Sequence, residues 1–215
     1  MASKLLKEIG LSGMLLAGFA LIGVIVLAVI YDQTSDRIKE NQHQALLKQL
    51  TEIVPIERFE NIHEKTAVKL PVGTFGMKDE AIVYLVKKAN QPEAAIFNVT
   101  TMKGYGGAIQ LLVGINKDQT ISGLRVISHK ETPGLGDKVE LGKTNWVLSF
   151  NGKSLDNPST SHWAVKKDGG EFDQFTGATI TPRAVVGMVK QVLLWSQQHF
   201  DELFTGKYEA VKETQ

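Results

Sequence analysis

The longest apolar stretch of the chain lies near its N-terminus. No residue from Ile9 to Tyr31 carries a charge, whereas Lys4, Lys7 and Glu8 precede this stretch and Asp32 follows it. A helix of this length, at about 1.5 Å per residue, crosses a hydrocarbon core of about 30 Å. A cleavable signal peptide is the alternative, but its apolar region is usually about 7–15 residues long and ends at an Ala-x-Ala-like site. We therefore predict a transmembrane helix over residues 9–31, because a buried core helix is not usually apolar on every side.

The basic residues beside this stretch predict its orientation. Lys4 and Lys7 place the short N-terminal segment, residues 1–8, in the cytoplasm by the positive-inside rule, although Arg37 and Lys39 weaken the asymmetry. The rest of the chain then lies outside the cytoplasm, in a periplasm-like space, and the protein crosses the membrane once.

A second helical pattern follows the apolar stretch. Apolar side chains recur near helical spacing at Ile38, Ala45, Leu46, Leu50 and Ile53. Charged residues between them, such as Asp36 and Glu40, indicate a solvated face. We predict a helix from Thr34 to Val54, within a stalk segment of residues 32–54.

The middle of the chain has the alternating pattern of β-strands. Residues 55–78 have weak periodicity and are interpreted as loops with short strands. Four runs rich in β-branched residues follow, bounded by Gly, Pro, Asn or Asp: Ala81–Lys87, Ala94–Val99, Ala108–Ile115 and Thr120–Ser128. The last two form a hairpin through the short connection 116–119. The sequence predicts an α+β domain over residues 55–205, with an antiparallel sheet and flanking helices.

The last third of the chain returns to helical spacing. We expect a short helix over Asp137–Trp146, and a strand and turn over Val147–Asp156. A longer helix starts at Pro182, with Thr181 as its cap, because Thr accepts hydrogen bonds from free amides and Pro suits the first turn. Its core face comprises Val185, Val186, Val189, Val192, Leu193 and Phe200. Residues 206–215 are interpreted as a frayed tail.

Composition excludes several classes of function. The 215 residues include 24 basic and 23 acidic side chains, a net charge of +1, which gives no electrostatic footprint for nucleic acid. The chain has no cysteine, which excludes disulfides, thiolate metal sites and a cysteine nucleophile. No Ser-His-Asp motif, metal-ligand spacing or paired carboxylates point to catalysis, so an extracytoplasmic hydrolase is weakly supported. We predict no catalytic residue and no metal site.

Two glycine-rich loops flank the predicted hairpin. Gly104-Tyr105-Gly106-Gly107 precedes it, and Glu131-Thr132-Pro133-Gly134-Leu135-Gly136 follows it. Because the two strands are antiparallel, both loops emerge at the same end of the sheet and can form one site. Each loop taken alone is more typical of a turn than of a ligand loop.

The stretch Asp173–Pro182 combines hydroxyl groups, a glycine and a helix start. Its helix N-terminus offers free N–H groups and a positive dipole end, which suits a phosphate near Thr179. On spacing alone, a capped helix after a tight turn explains the same residues.

Asp-x-x-[Ser/Thr]-Gly-Ala-Thr resembles the flavinylation motif of the FMN-binding domains in Rnf electron-transport complexes and in Na⁺-pumping NADH:quinone reductases. The matching residues are Asp173, Thr176, Gly177, Ala178 and Thr179. The resemblance implies that Thr179 carries FMN covalently through a phosphoester, installed by a separate flavin transferase. An alcohol without a neighbouring base is a weak nucleophile, which fits activation by another enzyme.

The glycine loops extend this resemblance. Gly-Tyr-Gly-Gly, a hairpin and then His129–Gly136 are similar to the block upstream of the flavinylation motif in that family. The implied non-covalent contacts with the flavin are Thr176, Gly177, Ala178, Asp173, Thr181, Gly104, Tyr105, Glu131, Thr132, Gly134, Leu135 and Gly136. Leu135 suits an apolar ring face, and the exposed amides beside it suit the flavin's polar atoms. Glu131 is either a ring-side polar group or a turn residue, and we favour the turn.

Over nearly the whole chain the resemblance is to the G-subunit family of Rnf complexes. It implies a membrane-anchored electron carrier within an ion-translocating ferredoxin:NAD oxidoreductase complex that moves Na⁺ or H⁺, without independent turnover by this chain. Its implied partners are an intramembrane iron–sulfur subunit pair, a second flavin-bearing integral subunit, the flavin transferase and the lipid bilayer. The C subunit of the Na⁺-translocating NADH:quinone reductase is the first alternative. A membrane-tethered binding or scaffold domain without cofactor is the alternative of another class.

Overall fold

The computed structural model describes residues 2–54 and 67–211, so most of the predicted loop region 55–78 lies outside the described residues. The helices are α1, Ala2–Ile53, and α2, Ile180–His199. The strands are β1 Ala67–Leu70, β2 Ala81–Lys88, β3 Gln91–Thr101, β4 Ile109–Asn116, β5 Ile121–His129 and β6 Glu209–Ala210. Short 3₁₀ turns lie at Thr74–Gly76, Gly136–Val139, Trp146–Phe150, Thr160–His162, Lys166–Asp168 and Asp201–Phe204.

Helix α1 is continuous where the sequence suggested two segments. No Gly or Pro occurs between Tyr31 and Val54, so nothing interrupts the helical hydrogen bonds. The Thr34 hydroxyl donates to the Ile30 carbonyl at 2.7 Å and stays within the helix. The part of α1 that is long and apolar enough to cross a membrane is Gly13–Ser35, which overlaps the predicted span 9–31.

The sheet is antiparallel throughout, in the order β5-β4-β3-β2-β1-β6. Strands β2 to β5 coincide with the four predicted runs to within a few residues, because alternate side chains of a strand point to opposite faces of the sheet. One face packs against α2, and the six predicted core residues of this helix are all buried, although Phe200 lies one residue past its end. The fold class predicted from the sequence, α+β with flanking helices, is confirmed.

The opposite face of the sheet receives the last turn of α1. Gly114 and Gly123 pair across β4 and β5, and the side chain of Ile53 lies over both. A Cβ on Gly114 would lie 2.4 Å from Ile53 Cγ2, so the bare backbone makes room for Ile53. Arg125 contacts the Glu52 carboxylate at 3.3 Å beside it.

The segment between the hairpin and α2 differs from the prediction. The helix expected over Asp137–Trp146 is reduced to the 3₁₀ turn at Gly136–Val139, and the strand expected at Val147 is a second 3₁₀ turn, Trp146–Phe150. Trp146, Val147 and Phe150 are buried at helical spacing, with the rings of Trp146 and Phe150 5.1 Å apart. Burial of these rings determines the local structure, which the alternation of apolar and polar residues in the sequence did not reveal.

Candidate functional site

The two glycine loops lie together because the hairpin register brings its ends into line. Ile109 at the start of β4 pairs with His129 at the end of β5. The Gly104–Gly107 loop precedes Ile109, and the Glu131–Gly136 loop follows His129. The prediction that both loops emerge at one end of the sheet is therefore confirmed.

The loops pack so closely that glycine is required in both. A Cβ on Gly106 would lie 1.9 Å from the Lys130 carbonyl oxygen. A Cβ on Gly104 would lie 2.7 Å from Glu131 Oε1, and one on Gly136 would lie 2.9 Å from Glu131 Oε2. Glu131 is thus surrounded by bare backbone from both loops.

The Glu131 carboxylate joins three segments of the chain. Its Oε1 accepts a hydrogen bond from the Gly106 amide at 2.9 Å, and its Oε2 accepts one from the Thr181 hydroxyl in α2. The Glu131 amide donates to His129 Nδ1 at 3.0 Å, and His129 Nε2 lies 2.6 Å from Glu140 Oε1. Because Nδ1 accepts, the ring is placed to donate from Nε2 to Glu140. Glu131 is 5% exposed, so its carboxylate lies buried between these segments.

Helix α2 begins earlier than predicted, and Thr181 does not cap it. The first helical residue is Ile180, Thr179 stands at the N-cap position, and the Arg183 amide donates to the Thr179 carbonyl at 3.2 Å. Thr181 lies inside the first turn and is fully buried. Its hydroxyl donates to the Glu131 carboxylate, and hydrogen bonds to a charged acceptor are stronger than those to a neutral one. Pro182 also lies in the first turn, where its missing N–H costs little.

The turn before α2 packs against buried aromatic side chains. Phe175 and Ala178 close a tight turn, with the Ala178 amide donating to the Phe175 carbonyl at 3.0 Å and Gly177 at φ +82°. Phe175 is buried against Trp146, whose Nε1 donates to the Asp173 carbonyl at 2.8 Å. The segment 172–179 is thus anchored by its two buried phenylalanines, while Asp173 and Thr176 remain at the surface.

Ion pairs fix the same segment from outside. Lys166 Nζ lies 2.6 Å from Asp173 Oδ1, and this hydrogen bond raises the pKa of Lys166. Arg183 in α2 binds Asp168 through two nitrogens at 2.6 and 2.8 Å, and this hydrogen bonding lowers the pKa of Asp168. The Arg183 guanidinium is therefore directed to Asp168.

A cavity of about 330 Å³ lies between these segments. It is lined by Tyr105, Glu131, Thr132, Leu135, Gly136, Gly177, Ala178, Thr179, Ile180 and Thr181. Tyr105, Leu135 and Ile180 give it an apolar rim that is open to solvent, and Leu135 lies beside Gly177 of the turn. Gly104, Gly134, Asp173 and Thr176, also predicted for the site, are not among its lining residues. Trp163 is buried in the core with its Nε1 bonded to the Ser154 carbonyl at 2.8 Å.

Residues 104–194 match the FMN-binding domain family, and residues 1–53 match the RnfG N-terminal region. The chain is 43% identical over 199 residues to the G subunit of the ion-translocating oxidoreductase complex of Pseudoalteromonas atlantica, covering 92% of this chain and 93% of that protein. The chain belongs to the G-subunit family of ion-translocating oxidoreductase complexes.

Other members of the family are similarly close. The G subunit of Escherichia coli is 45% identical over 196 residues, with 90% of this chain and 93% of that protein covered. The G subunit of Vibrio cholerae is 39% identical over 199 residues, with 93% and 95% covered. Matches across both the apolar helix and the sheet domain indicate a membrane-bound subunit of an oxidoreductase complex.

The cavity of this G-subunit homologue has the features that a flavin requires. Its volume lies near the lower end of the range of about 300–1,000 Å³ for small-molecule sites, and its open rim can accommodate a ring that extends outward. Apolar side chains stand beside bare glycine backbone, which suits a flat ring with polar edges. Thr179 lines the cavity at the N-cap position of α2, where a phosphate is favoured.

Proposed function

We propose that this chain is a membrane-anchored electron carrier of an ion-translocating oxidoreductase complex, with FMN attached to Thr179 through a phosphoester. The observation that carries the proposal is the position of Thr179. It is the N-cap residue of α2 and also part of the cavity wall, facing a space bordered by the two glycine loops. A phosphate on its hydroxyl lies at the positive end of a 20-residue helix.

The flavin supplies the redox chemistry, and the residues of this chain hold and orient it. Leu135 and Tyr105 offer apolar surface to the ring, while Gly136 and Gly177 expose backbone. No residue of the cavity wall is assigned the role of a general acid, a base or a nucleophile during electron transfer. Thr179 is an attachment point and has no catalytic role.

The surface features around Thr179 favour modification by a separate enzyme. Thr176 and Gly177 are exposed, and Asp173 is held in place by Lys166 at the surface. A flavin transferase can therefore reach this turn without unfolding the domain.

The neighbouring subunits in the complex are an iron–sulfur pair within the membrane and a second flavin-bearing subunit.

In the proposed topology, the N-terminus of α1 is cytoplasmic and the FMN-binding domain is periplasmic, at the bacterial inner membrane. Lys4 and Lys7 before the apolar stretch support this orientation. A C-terminal alkaline phosphatase fusion, which is active only outside the cytoplasm, should be active in cells. An inactive but stable fusion contradicts this topology.

The attachment is tested by producing the full chain in cells that contain the flavin transferase and measuring in-gel fluorescence after denaturation. The wild-type band should fluoresce and the Thr179→Ala band should be dark. A dark wild-type band contradicts covalent attachment and supports the alternative of a tethered scaffold domain. The close similarity to G subunits over 90% or more of the chain favours the electron carrier over that alternative and over the quinone reductase C subunit.

A further inference from the structure

Glu131 is a buried carboxylate on the cavity wall whose two oxygens both accept hydrogen bonds. The donors are the Gly106 amide and the Thr181 hydroxyl, which are both electrically neutral. The Gly106 amide can only donate, and with the Thr181 hydroxyl also donating, both oxygens of Glu131 act as acceptors, as they do in an ionised carboxylate. The arrangement therefore places a negative charge at the cavity.

No cation compensates this charge among residues 2–54 and 67–211, where the ion pairs found involve other carboxylates. Burying a carboxylate without a cation is costly even when hydrogen bonds satisfy its oxygens. A glutamine would fill nearly the same space without that cost. We therefore look for a function of the charge of Glu131 in addition to the space that its side chain fills.

The surroundings of Glu131 leave its charge unscreened towards the cavity. Gly104 and Gly136 lie so close to its two oxygens that a Cβ on either would approach within 3 Å. Glu131 lines the cavity, and at 5% exposure it has little contact with solvent. Electrostatic interactions are stronger in such a site than across solvent.

We propose that Glu131 lowers the reduction potential of the flavin held in this cavity, an inference that rests on the proposed function. Reduction adds up to two electrons to the ring, and each brings negative charge unless a proton from solvent follows. A fixed negative charge on the cavity wall opposes that addition and so favours the oxidised flavin. Glu131 thus places a fixed negative charge beside the flavin, and the hydrogen bonds from Gly106 and Thr181 hold the carboxylate in place.

The test is a redox titration of the flavin absorbance in the full-length, flavin-loaded chain. Glu131→Gln should shift the midpoint potential upward, and Glu131→Asp, which keeps the charge, should stay close to wild type. Glu171→Gln is the matched control, because it removes the same charge from an exposed side chain that pairs with Lys153. The control should leave the potential unchanged, since solvent screens an exposed charge.

Flavin loading, measured by in-gel fluorescence and intact mass, separates this inference from the proposed function. A wild-type chain without covalent flavin refutes the proposed function and the inference together. A loaded Glu131→Gln chain with the wild-type potential overturns the inference alone, even if its thermal stability falls.

If the Glu131→Gln chain carries no flavin, a second variant tests the inference. Thr181→Val removes one neutral donor and leaves the carboxylate with less compensation. Its flavin should then have a lower potential than wild type. An unchanged or higher potential overturns the inference.

Discussion

Thr181 donates a buried hydrogen bond to Glu131, which lies 50 positions earlier in the chain. This bond fastens the first turn of α2 to the loop after β5, and the Gly106 amide adds the loop before β4. The wall of the cavity therefore depends on one carboxylate that three distant segments share.

Thr181→Val should destabilise the domain because it leaves one oxygen of a buried carboxylate without a donor. The expected loss in the free energy of unfolding is about 1–3 kcal/mol, measured by urea denaturation. Thr181→Ser keeps the hydroxyl and should lose clearly less. Equal losses for the two variants contradict the role assigned to this hydrogen bond.

Gly106→Ala should disrupt the junction of the two glycine loops. Its Cβ would lie 1.9 Å from the Lys130 carbonyl, a backbone atom that cannot rotate away. We expect a loss of about 1–3 kcal/mol in unfolding free energy, as for other overpacked sites. Unchanged stability, with an unchanged amide spectrum for Glu131, contradicts the packing described.

Gly187→Ala, within α2, should stabilise the domain, in contrast to Gly106→Ala. A Cβ at Gly187 meets nothing within 4 Å, so the substitution only removes the conformational freedom of glycine from a helix. Unfolding free energy should rise by about 0.5–1 kcal/mol. A loss of stability in the isolated, purified chain indicates a packing role for Gly187 that the described contacts do not show.

The ion pair between Asp168 and Arg183 should make the attachment of the Lys166–Asp168 turn to α2 depend on pH. Hydrogen bonding from Arg183 lowers the Asp168 pKa below its ordinary value of 3.8, so the pair stabilises the fold above that pH and loses its contribution as the pH falls further. The thermal midpoints of wild type and Asp168→Asn should differ at pH 7 and converge in acid. High salt should reduce the difference at pH 7, because both side chains are partly exposed. A difference that persists at pH 2 contradicts this explanation.

Thr176→Ala and Thr179→Ala should differ in flavin attachment. Thr176 is exposed in the turn and does not line the cavity, whereas Thr179 contributes to its wall. We expect Thr179→Ala to abolish covalent flavin and Thr176→Ala to retain at least part of it. Peptide mass spectrometry that places the adduct on Thr176 or Thr181 refutes the assignment.

The sequence predicted the elements whose side chains follow a regular period. Strands β2 to β5 and the core face of α2 were predictable because their apolar residues recur every second residue or at helical spacing. The meeting of the two glycine loops also followed, since an antiparallel hairpin returns to its starting end.

The features that the sequence did not reveal depend on contacts between distant residues. The position of Thr181 inside α2 follows from its bond to Glu131, and no local pattern indicates that bond. The 3₁₀ turn at Trp146–Phe150 follows from burial of its aromatic rings beneath Phe172 and Phe175. The burial of Glu131 likewise depends on its contacts with Gly106 and Thr181, which are distant in the sequence.

The mass of the intact purified chain tests the central claim most directly. Chain produced with the flavin transferase should be heavier than the unmodified sequence by one FMN less one water, and Thr179→Ala should have the unmodified mass. An unmodified wild-type mass, or an adduct that persists in Thr179→Ala, contradicts covalent attachment of FMN to Thr179.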